Sequence, residues 1–275
     1  MPQIFALSSA VLFGVADFLG GVATRRLAAW TVATWTQIFG IPVLLLGVLI
    51  VDAPAVARSD ILWGASAGVI GLTGLALLYA TLAAGKMSVV APIIGAGAAV
   101  VPVAFAVVVG ESINALQWGG IALALIAVIL LAREPGVDRL TPKLFTQAMA
   151  AAGAFGAFFI LMGQTSEASG VWPLVAARSV SIPVGIAAVL ATGVRPRIPK
   201  GAWTLVALSG VIDMAANIAI LLAVQRGPIG INAVLGSLYP VFTVAAAILF
   251  LRERPTVTQV IGIATAVMAI IALAA

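Results

Sequence analysis

The chain has 275 residues, 63% of them apolar and 8% charged, with a net charge of +5 and no Cys or His. Its mean hydropathy of +1.23 and this composition lie far from the soluble globular range of roughly 45–50% apolar and about 25% charged, which excludes a soluble domain. The missing Cys and His and the lack of a Gly-rich phosphate loop exclude disulfides, thiolate or imidazole metal sites, His-based catalysis and an ATP-binding module, and no cofactor is expected.

About 20 apolar residues cross a ~30 Å hydrocarbon core. By that measure the chain reads as an all-α membrane protein with spans at 3–24, 30–51, 61–84, 87–109, 115–132, 144–166, 171–192, 202–225, 228–251 and 256–274. The first has no basic segment before it, so it reads as a crossing and not as a cleaved leader. The connections of any length are Asp52 to Asp60, Arg133 to Lys143 and Arg195 to Lys200. The middle one carries Pro135 and Gly136 and is the expected joint between halves 1–138 and 139–275. Glycines in the spans (Gly64, Gly68, Gly71 and Gly74; Gly95 and Gly97; Gly153 and Gly156) either pack helices closely or let bundles rock.

The halves repeat at an offset of 142 residues. Phe13 and Gly14 recur as Phe155 and Gly156, Trp30 as Trp172, Gly85 as Gly227, Glu111 as Glu253, Gln117 as Gln259 and Gly120 as Gly262. Each copy holds five spans, an odd number, so the second copy enters the membrane from the opposite face. That is the inverted repeat from which many transporters are built, with a substrate site near the midplane between the halves.

The Lys and Arg residues set the orientation, and for that reason do not indicate nucleic acid. With the N-terminus outside, the cytoplasmic connections hold Arg25, Arg26, Lys86, Arg133, Arg139, Lys143, Arg195, Arg197, Lys200, Arg252 and Arg254, against Arg58 and Arg226 outside. The positive-inside rule therefore places both termini outside.

Inside the spans stand three ionisable side chains, Asp17, Arg178 and Asp213. Each needs a partner or water, because a charge at the helix centre costs about 2.5–3.5 kcal/mol on insertion scales. At 1.5 Å per residue, Arg178 and Asp213 lie roughly 20 and 18 Å from the cytoplasmic face and Asp17 roughly 12 Å. The first two are either an ion pair pinning two helices, or a cavity guanidinium for a substrate carboxylate with an acid beside it. The first copy has Thr36 and Gly71 in their places, and Asp17 is matched by Phe159. Asp17, with no basic residue at its level, suits a proton-coupling acid, a counter-charge for an amine, or a carboxyl lining a wet vestibule. Trp35, Gln37, Tyr79, Gln164, Asn217, Asn232, Ser237 and Tyr239 lie at or near mid-span. Singly these are interhelical glue; together they describe a pocket for a small amphipathic solute. Pro92, Pro102 and Pro240 stand inside spans, where they kink helices either as fixed bends or as gates. Glu111 and Glu253 sit at helix ends and are expected to cap a turn or pair with Arg254.

The run Phe13-Gly14-Val15-Ala16-Asp17-Phe18-Leu19-Gly20-Gly21 with Arg25-Arg26 carries a family resemblance, as do two copies of an end-of-helix pattern. Those copies are Pro102 to Glu111 followed by Gln117 and Gly120, and Tyr239-Pro240 to Arg254-Pro255 followed by Gln259 and Gly262. On these the chain resembles the EamA branch of the drug/metabolite transporter superfamily over nearly its whole length. The resemblance implies a basket of spans 1–4 and 6–9 around a central cavity, spans 4 and 9 among its lining, with the uncharged spans 5 and 10 peripheral. It implies export of small molecules without naming the substrate.

The expected function is alternating-access export of small metabolites, amino acids including aromatic ones, across a bacterial inner membrane by a functional monomer. Asp17 and Arg178 would hold the amine and the carboxylate, both at once only with helix tilt, since their depth difference of roughly 8 Å exceeds the amine-to-carboxylate distance of an amino acid. The alternative is a proton-coupled exporter of lipophilic cationic drugs. An intramembrane enzyme or a lipid scramblase has little support, since no nucleophile–base spacing stands out and no headgroup-binding domain has room.

Overall fold

In hydrocarbon, every backbone N–H and C=O must be paired within the protein, and a helix pairs them within one segment. The apolar runs are accordingly helical in the computed structural model, which describes residues 1–84, 87–132, 141–191, 198–251 and 256–274. The helices are α1 (Pro2–Thr24), α2 (Ala29–Phe39), α3 (Ile41–Ile50), α4 (Arg58–Ala84), α5 (Met87–Val108), α6 (Ala115–Ala132), α7 (Pro142–Gly163), α8 (Trp172–Ala191), α9 (Trp203–Arg226), α10 (Ile229–Gly236), α11 (Tyr239–Leu251) and α12 (Val257–Ala274). Among the described residues there is no strand, and nine helical stretches are long and apolar enough to cross a membrane, α2–α3 and α10–α11 each counting as one. The 18-residue α6 makes the tenth span. The protein is a multi-pass membrane protein of two five-span repeats.

The recurrence of Gln117 and Gln259 has a local cause. Asn114 Oδ1 accepts the Gln117 N–H at 2.9 Å while Gln117 Oε1 accepts the Asn114 N–H at 3.1 Å. At the start of α12, Thr256 and Gln259 repeat the exchange at 3.3 and 3.0 Å. Both are capping boxes, each satisfying two backbone donors that an α-helix leaves free at its first turn.

The repeated glycines are where the two halves touch, and their contacts are exchanged between the copies. A methyl on Gly120 of α6 would meet Leu273 of α12 at 2.8 Å; one on Gly262 of α12 would meet Leu131 of α6 at 3.1 Å. Leu131 and Leu273 are themselves 142 residues apart. Likewise Gly14 of α1 lies against Phe242 and Thr243 of α11, and Gly156 of α7 against Val101 of α5, the position equivalent to Thr243. Helix pairs follow the same rule: α1 packs on α9 as α7 packs on α4, and α1 packs on α11 as α7 packs on α5. The halves are thus related by an approximate two-fold axis, around a central cavity that α6 and α12 do not line.

Three expectations change. Spans 30–51 and 228–251 are not continuous helices. The second breaks at Gly40, where Pro42 has no N–H to offer the Ile38 carbonyl. The ninth breaks at Ser237–Leu238, just before Pro240, which therefore stands in the first turn of α11 and not within an unbroken helix; there a missing N–H costs little. Pro92 and Pro102 do lie inside α5, and Pro183, not singled out from sequence, lies inside α8. The sixth span ends at Gly163, so Gln164 is an exposed C-cap residue and not a mid-span amide. The joint between halves, with Arg133, Asp138 and Arg139, and the loop residues Gly85, Lys86, Arg195, Arg197, Arg252, Glu253, Arg254 and Pro255 lie outside the described residues.

Candidate functional site

Between the two halves α1, α2, α4, α7, α8, α9 and α11 enclose a cavity of about 50 Å³, room for a few water molecules. The sequence places its wall in repeat-related pairs: Phe13 with Phe155, Asp17 with Phe159, Gly71 with Asp213, and Leu75 with Asn217. The frame is two-fold but its chemistry is not. The α1–α9 wall carries Phe13, Asp17, Asp213 and Asn217, while its two-fold mate, the α7–α4 wall, carries Phe155, Phe158, Phe159, Leu75 and the bare backbone of Gly71.

On the polar side, Arg178 Nη2 of α8 lies 3.5 Å from Asp213 Oδ2 of α9. That oxygen also accepts Asn217 Nδ2 at 3.0 Å, and Asn217 is fixed by a second bond to the Asp213 carbonyl at 2.8 Å. The guanidinium is incompletely satisfied, since its Nε is buried with no partner. Gln37 is held from α8, its Oε1 accepting the Ser181 hydroxyl. Asp17 is 4% exposed and lines the cavity, and has no hydrogen-bond or ion-pair partner among the described residues. The Tyr239 hydroxyl is also buried and unpartnered. Ser209, one turn before Asp213, donates its hydroxyl to the Ala16 carbonyl at 2.9 Å, which sets α9 against α1 beside Asp17.

Of the residues singled out from sequence, the fold therefore brings Asp17, Gln37, Arg178, Asp213, Asn217 and Tyr239 to one cavity. Trp35 does not line it; its ring stands 5.8 Å from Phe39 and 5.9 Å from Trp203. Tyr79 is fully buried outside the wall, its hydroxyl 3.3 Å from Ser209 Oγ, whose own hydrogen goes to Ala16. Ser237 sits at the break between α10 and α11, its Oγ buried without a partner, and Asn232 of α10 donates back to the Ala223 carbonyl at 2.9 Å. Phe13, Gly71, Leu75, Phe155, Phe158 and Phe159 were not proposed. The repeat offset was the available signal, because applied to Asp17, Asp213 and Asn217 it lands on Phe159, Gly71 and Leu75.

One end of the basket is closed by polar contacts between the repeats. Glu111 Oε1 and Oε2 accept the Ile229 and Gly230 N–H groups at 2.9 and 3.0 Å, capping the start of α10 across the repeat boundary. Asp60, 2% exposed, accepts the Ala57 N–H at 2.9 Å and the Ser166 N–H at 2.8 Å. Gln225 of α9 ties the same segment by bonds to Thr165, Ser166 and Gly170.

Inverted five-span bundles around a charged cavity between the halves are the architecture of a membrane transporter. The chain belongs to the EamA-like transporter family, whose pattern it matches over residues 1–133 and again over 144–275. Among solved structures, 28 chains are similar to it. One crystal structure superposes with a TM-score of 0.76 at 15% identity, over 98% of this chain and 95% of its own, a likeness of fold. No curated protein matches the chain in sequence.

Proposed function

We propose that the protein is a secondary carrier exporting amino acids, aromatic ones included, across a bacterial inner membrane. It acts as a monomer with both termini outside. The observation that carries this reading is the coexistence, in one cavity, of a guanidinium whose buried Nε is unpaired and a buried carboxyl, Asp17, both without a partner there among the described residues. Buried polar groups left unpaired are costly, so a bound zwitterion that supplies a carboxylate to Arg178 and an ammonium to Asp17 relieves two costs at once. Arginine suits the first role through its fixed fork of donors.

A cavity of about 50 Å³ is smaller than an amino acid, so loading requires it to widen as the halves rock apart. Pro92 and Pro102 in α5 and the break before Pro240 are the hinges. Export of lipophilic cations is the second reading, favoured by five aromatic side chains, Phe13, Phe155, Phe158, Phe159 and Tyr239, that share the cavity lining with Asp17. The deciding experiment is uptake of labelled amino acids into proteoliposomes with and without a pH gradient. Saturable uptake that Arg178→Ala and Asp17→Ala both abolish supports the amino-acid reading. Uptake unchanged in both variants refutes the site, and transport of quaternary amines alone moves the assignment to cations.

A further inference from the structure

The α7–α4 wall holds three phenylalanines, one of which, Phe159, stands where its two-fold mate holds Asp17, and one position on it has no side chain. Gly71 faces Phe158: a methyl built on it would lie 3.0 Å from Phe158 Cδ2 and 3.4 Å from Cε2. Carbon atoms settle at about 3.5–4.0 Å, so a side chain at 71 requires the ring to give by roughly a few tenths of an ångström. Phe158 is 4% exposed and packs edge-on against Phe159, ring centres 6.1 Å apart. Phe158 and Gly71 both line the cavity, so a shift of the ring changes the cavity's shape.

We infer that the α7–α4 wall is the subsite for a large apolar, planar side chain of the solute, and that Gly71 and Phe158 together set the largest side chain accepted. This rests on the amino-acid reading above. The charged head lies on the α1–α9 wall with Asp17 and Arg178, and the side chain points across the two-fold axis. There Phe155, Phe158 and Phe159 line the cavity, and Gly71 lets the Phe158 ring lie close against the α4 backbone. Aromatic pairs gain beyond their buried area in offset or edge-on geometry, so phenylalanine-like and tryptophan-like solutes fit this wall better than branched aliphatic ones of similar size. The repeat makes the design economical to read: at the position equivalent to Gly71 the polar wall carries Asp213, at Leu75 it carries Asn217, and at Phe159 it carries Asp17.

The test is the ratio of phenylalanine to alanine uptake in proteoliposomes for the wild type, Gly71→Ala, Phe158→Leu and the double variant. One methylene's worth of space in an apolar pocket discriminates by about tenfold or more. Gly71→Ala is expected to lower the ratio by that factor, and Phe158→Leu in the Gly71→Ala background to restore it, a recovery that a misfolded variant cannot give. A ratio unmoved by Gly71→Ala, or a double variant no better than the single, overturns the gauge while leaving the carrier reading intact. Failure of the wild type to take up any amino acid overturns both.

Discussion

Removing either member of the Arg178–Asp213 pair should destabilise the protein, and removing both should largely restore it. At 3.5 Å and an effective dielectric constant near 20, the attraction is roughly 5 kcal/mol, against a desolvation cost of similar size. The net worth of the pair is therefore small, whereas a stranded partner costs about 3–5 kcal/mol. The single contact at the outer limit of hydrogen bonding argues for the lower end, about 3 kcal/mol by the same measure. The two single variants are not equivalent. Arg178→Met leaves the carboxylate held by Asn217 Nδ2, so Asp213→Leu, which strands the guanidinium and strips Asn217 of a partner, should cost more. Unfolding in detergent can be followed by intrinsic fluorescence from the six Trp residues; at roughly 2–4 °C per kcal/mol, Asp213→Leu should lower Tm by about 6–12 °C. The Arg178→Met, Asp213→Leu double variant should fall within about 1 kcal/mol of wild type, since apolar replacement of a whole buried pair is often neutral. A double variant as unstable as the sum of the singles would refute this account. If the stable double variant also retained amino-acid uptake, Arg178 would be a pin between α8 and α9 and not a grip on substrate.

Two further outcomes follow from contacts between the repeats. Glu111→Gln loses one of two charge-assisted bonds to the start of α10, a loss of about 2 kcal/mol, and should favour opening of that end. Since the native chain has no Cys, a single Leu75→Cys reporter should then react faster with an impermeant maleimide from that side, and an unchanged rate would contradict the assignment. Gly120→Leu should lower stability by about 1–3 kcal/mol through overpacking against Leu273, whereas Gly119→Leu, beside open space, should have little effect; equal losses at both positions would show that the contact does not matter.

The spans were readable because apolar runs of membrane length have one structural solution, and the two-fold axis because the repeated glycines occupy the contact points. Asp17, Arg178 and Asp213 stood out because charge is costly in hydrocarbon. The aromatic wall did not stand out: Phe155, Phe158 and Phe159 look in sequence like Phe250, which is 68% exposed, and only the rotation of each helix within the bundle separates cavity from lipid. The break at Gly40 depended on reading Pro42 as the first turn of a new helix. Gln164 was misplaced because apolar character fades gradually at the end of α7, while the helix itself stops at Gly163.

The contact between α6 and α12 bears on where such a chain comes from. Gly120 receives Leu273 and Gly262 receives Leu131, so each repeat presents the same knob and the same hollow to its mate. A single five-span unit inserted in both orientations would carry both, and two copies would lock antiparallel without any linker. The peripheral helices thus form, within one polypeptide, the self-complementary kind of interface that a two-fold homodimer has. One polypeptide can also hold different residues on its two walls, Asp17 opposite Phe159 and Asp213 opposite Gly71, which two identical subunits could never do.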